Sequence, residues 1–322
     1  MTDFKKDLIS ILGFMAFLLI VPWFLTNEYY INTLTLSLTQ AIIAVGLNLL
    51  MGYTGQVSLG HAAFYGLAAY TSAILTTNYG FPVPAGMFAG ISLTGIIAYI
   101  IGIPTLKLKG NYLAMATLGF GVIVYIFFNE TIELTGGPSG FTGIPRFNIF
   151  GWQFDSDSSY YYLVAVILTV VVFLSLNLIH SRVGRALRAI HTSETASQIA
   201  GIDIAKYKVF VFVLSALFAG LAGVLYAHNL AFVAPASFGF NFSVELVTMV
   251  VLGGMASVWG SVIGAFFLTI LPELLRVFEN IEIVLYGAIL IVFMIFLPEG
   301  IAGGVLKIYG MFKVKGKNAA GK

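Results

Sequence analysis

A polar, glycine-rich block at residues 52–61 holds the side chains of this sequence that are best suited to chemistry. Ser58 and His61 lie three residues apart, so they can share one face of a helix. A serine beside a histidine could serve as the nucleophile of an intramembrane hydrolase, but the block offers no carboxylate to orient the histidine. Packing or pore lining is the interpretation that we favour. Gly55 and Gln56 add further uncharged hydrogen-bonding groups to the block.

Other reactive groups are few. The sequence has no cysteine, which excludes disulfides, cysteine-bound zinc and thiol nucleophiles. Glu245 and Glu273 are the carboxylates nearest the interior of an apolar segment, and both lie within about one helical turn of a predicted boundary. An intramembrane proton relay would need deeper, partnered acids. The sequence also contains no Gly-x-x-x-x-Gly-Lys-[Ser/Thr] phosphate loop, the motif that many ATP-binding proteins use.

The longest hydrophilic connection, residues 180–208, contains start and stop signals for a short helix. Ser193 is a suitable N-cap, and Glu194 in the first turn complements the positive end of the helix dipole. Gly201 is a natural helix stop, and Asp203 can cap the next helix. A small apolar face is formed by Ala196, Ile199 and Ala200. A helix of about two turns is unstable alone, so we expect it to rest on the lipid surface or the neighbouring helices, or in a groove of a cytosolic protein.

The amino-acid composition indicates which secondary-structure elements hold these residues in position. Of 322 residues, 59% are apolar and 9% are charged, and the net charge of +2 argues against a nucleic-acid partner. About ten apolar segments follow one another, most of them long enough to cross a bilayer. They run approximately over 8–25, 31–51, 62–77, 83–103, 112–128, 160–179, 209–228, 243–258, 262–275 and 283–297. Because backbone in lipid must satisfy its own hydrogen bonds, we predict an all-α fold, a polytopic transmembrane helical bundle forming a single transmembrane domain over 1–322.

The distribution of charge predicts the orientation of this bundle. With the N-terminus in the cytoplasm and ten alternating helices, every basic residue except Arg146 and Arg276 falls on the inner side. The positive-inside rule predicts such an asymmetry for the true orientation. Both termini, the 180–208 connection and a basic tail at 304–322 are therefore expected in the cytoplasm, and a loop at 130–158 is expected outside.

In this topology the polar block at 52–61 is the one inner connection without Lys or Arg. We hypothesise that it dips into the membrane beside a cavity, where irregular backbone and polar side chains can be satisfied. Candidate residues of a substrate path are then Gly55, Gln56, Ser58 and His61. The alternative is a tight turn that uses glycine for its positive φ.

Several sequence blocks together carry a resemblance to a known family. ETASQIAG at 194–201 resembles the Glu-Ala-Ala…Gly loop of ABC importer permeases, with Thr195 in the middle position. Seven further blocks, in order, are GYTGQVSLGHAAF (52–64), LKLKGNY (106–112), TGGPSG (135–140), VGRALRAI (183–190), FAGLAG (218–223), VLGGMAS (251–257) and LPEGI (297–301). Their order and spacing are similar to those of the branched-chain amino acid permeases of the LivM and LivH type. The Lys-Gly-Asn-Tyr block and the long outer loop look more like LivM.

The resemblance implies a permease subunit in the cytoplasmic (inner) membrane of a prokaryote, not an enzyme. It implies a second, LivH-like permease subunit, two ATPase subunits that bind ATP and Mg, and an extracytoplasmic amino-acid-binding protein. This chain itself would hold no cofactor and no metal. The short helix would be the coupling helix that docks on an ATPase. Its coupling residues would be Glu194, Thr195, Ala196, Ile199 and Gly201.

The resemblance implies branched-chain, hydrophobic amino acids as the substrate. Urea, short amides or other small solutes remain an alternative, because permeases for them share this scaffold. Two other classes of function make different predictions. A self-powered transporter or channel would need mid-membrane coupling carboxylates and would work without an ATPase. An intramembrane enzyme would turn over a lipid or peptide as the purified chain.

Overall fold

The fold is known from a computed structural model, which describes residues 2–304 except 26, 109, 150–151, 155 and 298–299. The side chains of 2–6, 149, 152–153 and 279–280 are not described. Apart from residue 304, the predicted basic tail lies outside the described residues. The α-helices are α1 (Thr2–Ile20), α2 (Glu28–Thr54), α3 (His61–Thr77), α4 (Val83–Thr105), α5 (Asn111–Glu130), α6 (Ile132–Thr135), α7 (Asp157–His180), α8 (Arg182–Thr192), α9 (Glu194–Ile199), α10 (Ile204–Leu230), α11 (Phe240–Gly253), α12 (Val258–Leu275) and α13 (Glu282–Phe296).

Short elements complete the chain. The 3-10 turns are Val21–Phe24, Gly137–Ser139, Pro235–Phe238 and Arg276–Ile281. The strands are β1 (Phe141–Thr142), β2 (Asn148–Ile149), β3 (Trp152–Gln153) and β4 (Phe232–Val233). Strand β1 pairs antiparallel with β4, and β2 pairs antiparallel with β3. These two-residue pairs lie in or beside the predicted 130–158 loop and leave the fold class all-α.

The predicted polytopic helical bundle is confirmed, and each of the ten predicted apolar segments coincides with a helix. Among the described residues, seven helices are long and apolar enough to cross a membrane. Three of the ten segments form helices that are shorter than this length, namely α3, α11 and α13, with 17, 14 and 15 residues. Helix α2 lies at the centre of the bundle, packed by α7, α10, α11 and α12. None of the side chains of α13 is buried, so this helix lies at the periphery.

The boundary that we predicted between the segments 243–258 and 262–275 is wrong. Helix α11 ends at Gly253, and α12 begins at Val258 with Ser257 as its N-cap. The two helices pack backbone against backbone, since a Cβ atom on Gly253 would lie 2.1 Å from the carbonyl oxygen of Gly260. Asn48 of α2 fastens the break by accepting a hydrogen bond from the backbone N–H of Ala256 at 2.9 Å. All the residues at the break are apolar or small, so hydropathy does not reveal it.

The helix ends lie in two groups. The first group holds α8, α9, the start of α10 and the C-terminal ends of α2 and α4, which meet around Gly55 and around Glu194. We call it the basic end, because it carries Arg182, Arg185, Arg188, Lys206 and Lys208. At the opposite end, Asn229 of α10 donates a hydrogen bond to Asn32 of α2 at 3.1 Å. Part of the 130–158 loop closes over that end, where the Pro145 carbonyl lies 2.7 Å from His228 Nδ1.

Candidate functional site

The polar block begins where α2 ends. Gly55 adopts the left-handed conformation, with φ of 70°, and its N–H donates to the Met51 carbonyl at 3.0 Å. The next N–H, of Gln56, donates to the Leu50 carbonyl at 3.4 Å. The Met51 carbonyl is among the last four of the helix, which have no backbone partner within it, whereas the Leu50 carbonyl also accepts from Thr54 Oγ1. Glycine fits this position because a left-handed φ is strained for residues with a Cβ atom. The glycine-turn geometry that we considered for the block is therefore present.

The remainder of the block packs into the bundle. The N–H of Leu59 donates to Thr117 Oγ1 of α5 at 3.0 Å. A Cβ atom on Gly60 would lie 2.8 Å from the Thr117 carbonyl oxygen, so the loop approaches α5 closely. The N–H of Ala62, in the first turn of α3, donates to Ser243 Oγ of α11 at 3.3 Å. The block thus contacts helices that are distant in the sequence, which an isolated surface turn would not do.

His61 is buried, with 1% of its surface exposed, and both ring nitrogens have hydroxyl partners. Its Nδ1 lies 3.1 Å from Ser58 Oγ, and its Nε2 lies 2.6 Å from Ser215 Oγ of α10. The rings of Phe64 and Phe212 meet the imidazole edge to face. Within the described residues, no hydrogen bond or salt bridge joins His61 to a carboxylate. The imidazole is therefore arranged as a tie between two helices, and it lacks the orienting acid of a hydrolytic triad.

Gln56 is also buried, at 5% exposure, but its side chain differs from that of His61 in its hydrogen bonding. Among the described residues, neither its amide nitrogen nor its amide oxygen has a hydrogen-bond partner. Most buried polar side-chain atoms in proteins are paired, and an unpaired one costs about 1–3 kcal/mol. Its neighbours Gly55 and Val57 are exposed. The block therefore has one exposed face and one buried face, and the buried face carries an unpaired amide.

The short helix α9 forms as the sequence signals predicted. Ser193 Oγ accepts from the N–H of Ala196 at 3.2 Å. At the other end, the N–H of Gly201 donates to the Gln198 carbonyl and that of Ile202 to the Ser197 carbonyl, each at 3.0 Å. This pair of bonds is a Schellman motif, and Gly201 has the left-handed φ of 81° that the motif requires. Asp203 caps α10 by accepting from the N–H of Lys206 at 3.1 Å.

The predicted apolar face of α9 points away from the bundle. Ile199 is 84% exposed, and Thr195, Ala196 and Ala200 are exposed beside it. Ser197 is the buried residue of the helix and faces the rest of the chain. A single exposed aliphatic side chain is common on protein surfaces, so it is the grouping of Ile199 with Ala196 and Ala200 that makes this face a candidate contact surface.

Helix α9 is fastened to α10 by an ion pair that sequence reasoning missed. Lys208 Nζ lies 2.6 Å from Glu194 Oε1, with the lysine side chain 5% exposed and the glutamate side chain 32% exposed. The charge pattern predicts that Lys208 lies on the cytoplasmic side but does not indicate which acid it meets. A basic residue near the start of a helix opposes the helix dipole, which only weakly favours an acid nearby.

These features define a class of protein, a multi-pass helical membrane protein whose basic end carries a short, capped helix. The chain belongs to the family described as "Branched-chain amino acid transport system / permease component", whose model matches residues 29–297. Relatives in this family are named as transport permeases, not as enzymes.

Three relatives illustrate the similarity. The high-affinity branched-chain amino acid transport system permease protein LivM of Salmonella typhimurium is 34% identical, over 89% of this chain and 73% of its own length. The high-affinity branched-chain amino acid transport system permease protein LivH of Escherichia coli is 27% identical, over 84% of this chain and 94% of its own length. The ribose import permease protein RbsC of Escherichia coli is 30% identical, over 82% of this chain and 83% of its own length. No solved structure shows significant similarity to this chain.

Proposed function

We propose that this chain is a permease subunit of an ABC importer in a prokaryotic inner membrane, and that it forms part of a translocation path for branched-chain amino acids. The observation that carries the proposal is its 34% identity to LivM over most of both chains. The higher identity to LivM than to LivH makes a LivH-like protein the natural second permease subunit. Urea and short amides are not favoured, since none of the relatives described above is named for them.

The charge distribution supports an orientation with the basic end in the cytoplasm. Arginine and lysine residues cluster around α8, α9 and the start of α10, as the positive-inside rule requires of a cytoplasmic surface. Acidic residues are found at the opposite end, among them Glu28, Glu130, Glu133, Asp157 and Glu273. The solute-binding protein would then dock at the opposite end.

Helix α9 is the proposed contact with the ATPase subunits, which would bind the ATP and Mg. Support comes from its caps at Ser193 and Gly201, which fix its ends, and from the exposed Ile199, which offers an apolar contact. Thr195 and Ala196 lie on the open surface beside Ile199. The buried ion pair of Glu194 with Lys208 would resist displacement of α9 when a partner pushes on it.

The block at 55–61 is the proposed contact with the substrate path. Support comes from Gln56, whose buried amide has no partner for its donor or its acceptor in the described part of the chain. An amino acid presents an ammonium and a carboxylate, and a primary amide can pair with either. Ser58 bonds to His61, and His61 bonds in turn to Ser215, so the two residues would hold the block in place.

The test is to purify the chain in mild detergent, identify the subunits that accompany it, and reconstitute the assembly in vesicles. ATP inside the vesicles and the binding protein outside should together drive uptake of leucine, isoleucine and valine, and omission of either should abolish uptake. Ribose and urea serve as control solutes. Uptake by the chain alone would contradict the ABC assignment, and ATP-driven uptake of ribose without leucine would contradict the substrate.

A further inference from the structure

A large groove of about 1210 Å³ opens at the basic end, between α4, α9 and the first turns of α10. Its walls are mainly apolar. They are formed by Tyr99, Ile103, Val209, Phe210, Val213 and Leu217. The walls belong to the segments Val83–Thr105 and Ile204–Leu230, both long and apolar enough to cross a membrane. The groove therefore continues from the end of the bundle along two helices that can cross a membrane.

Three lysines and two carboxylates line the groove, so its charge is positive on balance. Lys208 is buried against Glu194. Asp203 is engaged as the N-cap of α10. Lys107 and Lys206 are exposed, and no ion pair is formed by either of them within the described part of the chain. Two ammonium groups are thus available at the rim.

The two lysines stand at the same end of two apolar stripes. On α4, Tyr99 and Ile103 are spaced one turn apart, and Lys107 follows in the turn just beyond the end of the helix at Thr105. On α10, Lys206 is followed after one turn by Phe210, and the stripe continues through Val213. An apolar column with ammonium groups at its polar end matches a phospholipid, whose acyl chains need apolar walls and whose phosphate needs cations.

We propose that this groove binds one anionic phospholipid, with its acyl chains along α4 and α10 and its phosphate between Lys107 and Lys206. The proposal goes beyond the proposed function and does not rest on it, because lipid binding is measured without transport. A protein occupant fits the groove less well, since the apolar walls lie on helices that are long and apolar enough to cross a membrane.

The test uses the full chain, with the subunits that accompany it, titrated with palmitoyl-oleoyl phosphatidylglycerol or phosphatidylcholine and followed by native mass spectrometry. The parent should retain one phosphatidylglycerol in preference to phosphatidylcholine. The double variant Lys107→Gln/Lys206→Gln should bind phosphatidylglycerol about 25-fold more weakly, about fivefold per lysine, with phosphatidylcholine unchanged. The matched control is Arg182→Gln/Arg185→Gln, which removes the same charge from α8 outside the groove and should bind as the parent does.

A phosphatidylglycerol with a photoreactive acyl chain locates the lipid. Adducts should concentrate on residues 99–107 and 206–217 in the parent and decrease in the lysine variant. Unchanged phosphatidylglycerol binding in that variant would overturn the proposal, as would equal weakening in the arginine control, which would indicate diffuse surface charge. Adducts spread evenly over α5 and α13 would indicate surrounding lipid only and would also overturn it. Loss of a co-purifying ATPase subunit with lipid binding intact would assign the groove to a protein instead.

Discussion

At the scale of single residues, His61 and Gln56 lie only five positions apart and yet have opposite surroundings. Both ring nitrogens of His61 bond to hydroxyls, whereas the amide of Gln56 bonds to no described group. The meeting of Ser58 and His61 could be anticipated from their closeness in the sequence, although Ser58 lies in the loop before α3 and not on the shared helix face that the spacing of three residues predicted. Ser215 could not be anticipated, because it comes from α10, and only the packing of α10 on α3 brings it to the imidazole. Closeness in the sequence therefore predicted half of this arrangement.

The first prediction concerns Gln56→Leu, a change that removes the unpaired amide and keeps a similar volume. Removing a buried polar group without a partner should raise the free energy of unfolding, by about 1 kcal/mol or more. Uptake of leucine should nevertheless fall severalfold if the amide meets the substrate. Thermal unfolding in detergent and uptake by reconstituted vesicles measure the two effects. Ser10→Ala, an exposed change on α1, is the control and should alter neither.

A result in which Gln56→Leu is more stable and transports normally would remove the substrate-path hypothesis and leave Gln56 as a structural residue. A result in which stability and uptake fall together would show that the amide is paired in the membrane-embedded protein. Ser58 gives a less clear test than Gln56. Its substitution also breaks the hydrogen bond to His61, so reduced uptake could arise from a displaced loop.

At the scale of elements, α10 connects the two candidate sites. Lys208 near its start bonds to Glu194 of α9, and Ser215, about two turns further along, bonds to His61 at the start of α3. A continuous helix is stiff over two turns, so a displacement of α9 that moves α10 must also strain the His61 contact. The sequence placed α9, its caps and α10 correctly, because capping is decided by neighbouring residues. It could not place the ion pair, which depends on how α9 folds back on α10.

The second prediction tests this ion pair. Glu194→Gln leaves the Lys208 ammonium buried opposite a neutral amide, and removing one partner of a buried pair is strongly destabilising. We expect a loss of about 2–3 kcal/mol, at or below the low end of the usual range because Glu194 is partly exposed. Adding Lys208→Met should restore most of the stability, since methionine fills the site without charge. Thermal unfolding of the parent, the single variant and the double variant gives the coupling between the residues.

Equal stability of Glu194→Gln and the parent would show that Lys208 finds another partner or water. If the double variant is as unstable as the single variant, the lysine contributes by packing rather than by charge. Thr195→Gln is the matched control, because it places the same side chain at the neighbouring exposed position of α9. It should leave the unfolding temperature unchanged.

At the scale of the whole molecule, hydropathy and charge predicted the bundle, its ten helical segments and the clustering of basic residues at one end. These features were predictable because burial in lipid imposes one rule on every segment. The break between α11 and α12 was missed for a related reason. Glycine contacts between backbones, such as that of Gly264 with the Met249 carbonyl oxygen, leave no mark in hydropathy. The groove beside Lys107 could likewise not be predicted from the sequence, because only tertiary packing brings α4 and α9 close together.

The third prediction concerns orientation. The chain contains no cysteine, so a single introduced thiol reports its own exposure. Thr195→Cys on α9 should resist a membrane-impermeant maleimide in intact cells and react after permeabilisation. Ser139→Cys, in the 130–158 loop, should react in intact cells. Both side chains are exposed and neither caps a helix, so the substitutions should leave the fold intact. Labelling in the reverse order would invert the proposed topology.

The last prediction concerns the contact between α9 and an ATPase. It depends on the fact that the outer face of α9 and the contacts that hold α9 in place are formed by different residues. Ala196 and Ile199 are exposed, whereas the contacts that hold α9 in place are made by Ser193, Glu194 and Gly201. A charge on the outer face should therefore leave the chain folded and oppose only the docking of an apolar partner surface. Ile199→Asp and Ala196→Asp should keep the parent unfolding temperature, release the ATPase subunits on purification and abolish ATP-driven uptake.

Ile199→Val is the matched control for this experiment, because it keeps an apolar face of nearly the same size. It should retain the ATPase and most of the uptake. Because Ile199 is 84% exposed in the isolated chain, a loss of stability in the aspartate variants cannot arise from its burial within this subunit. If Ile199→Asp retains both the ATPase and coupled uptake, the exposed face of α9 does not contact the ATPase. The lipid surface, another support considered for this helix, would then be the better explanation for its exposed isoleucine.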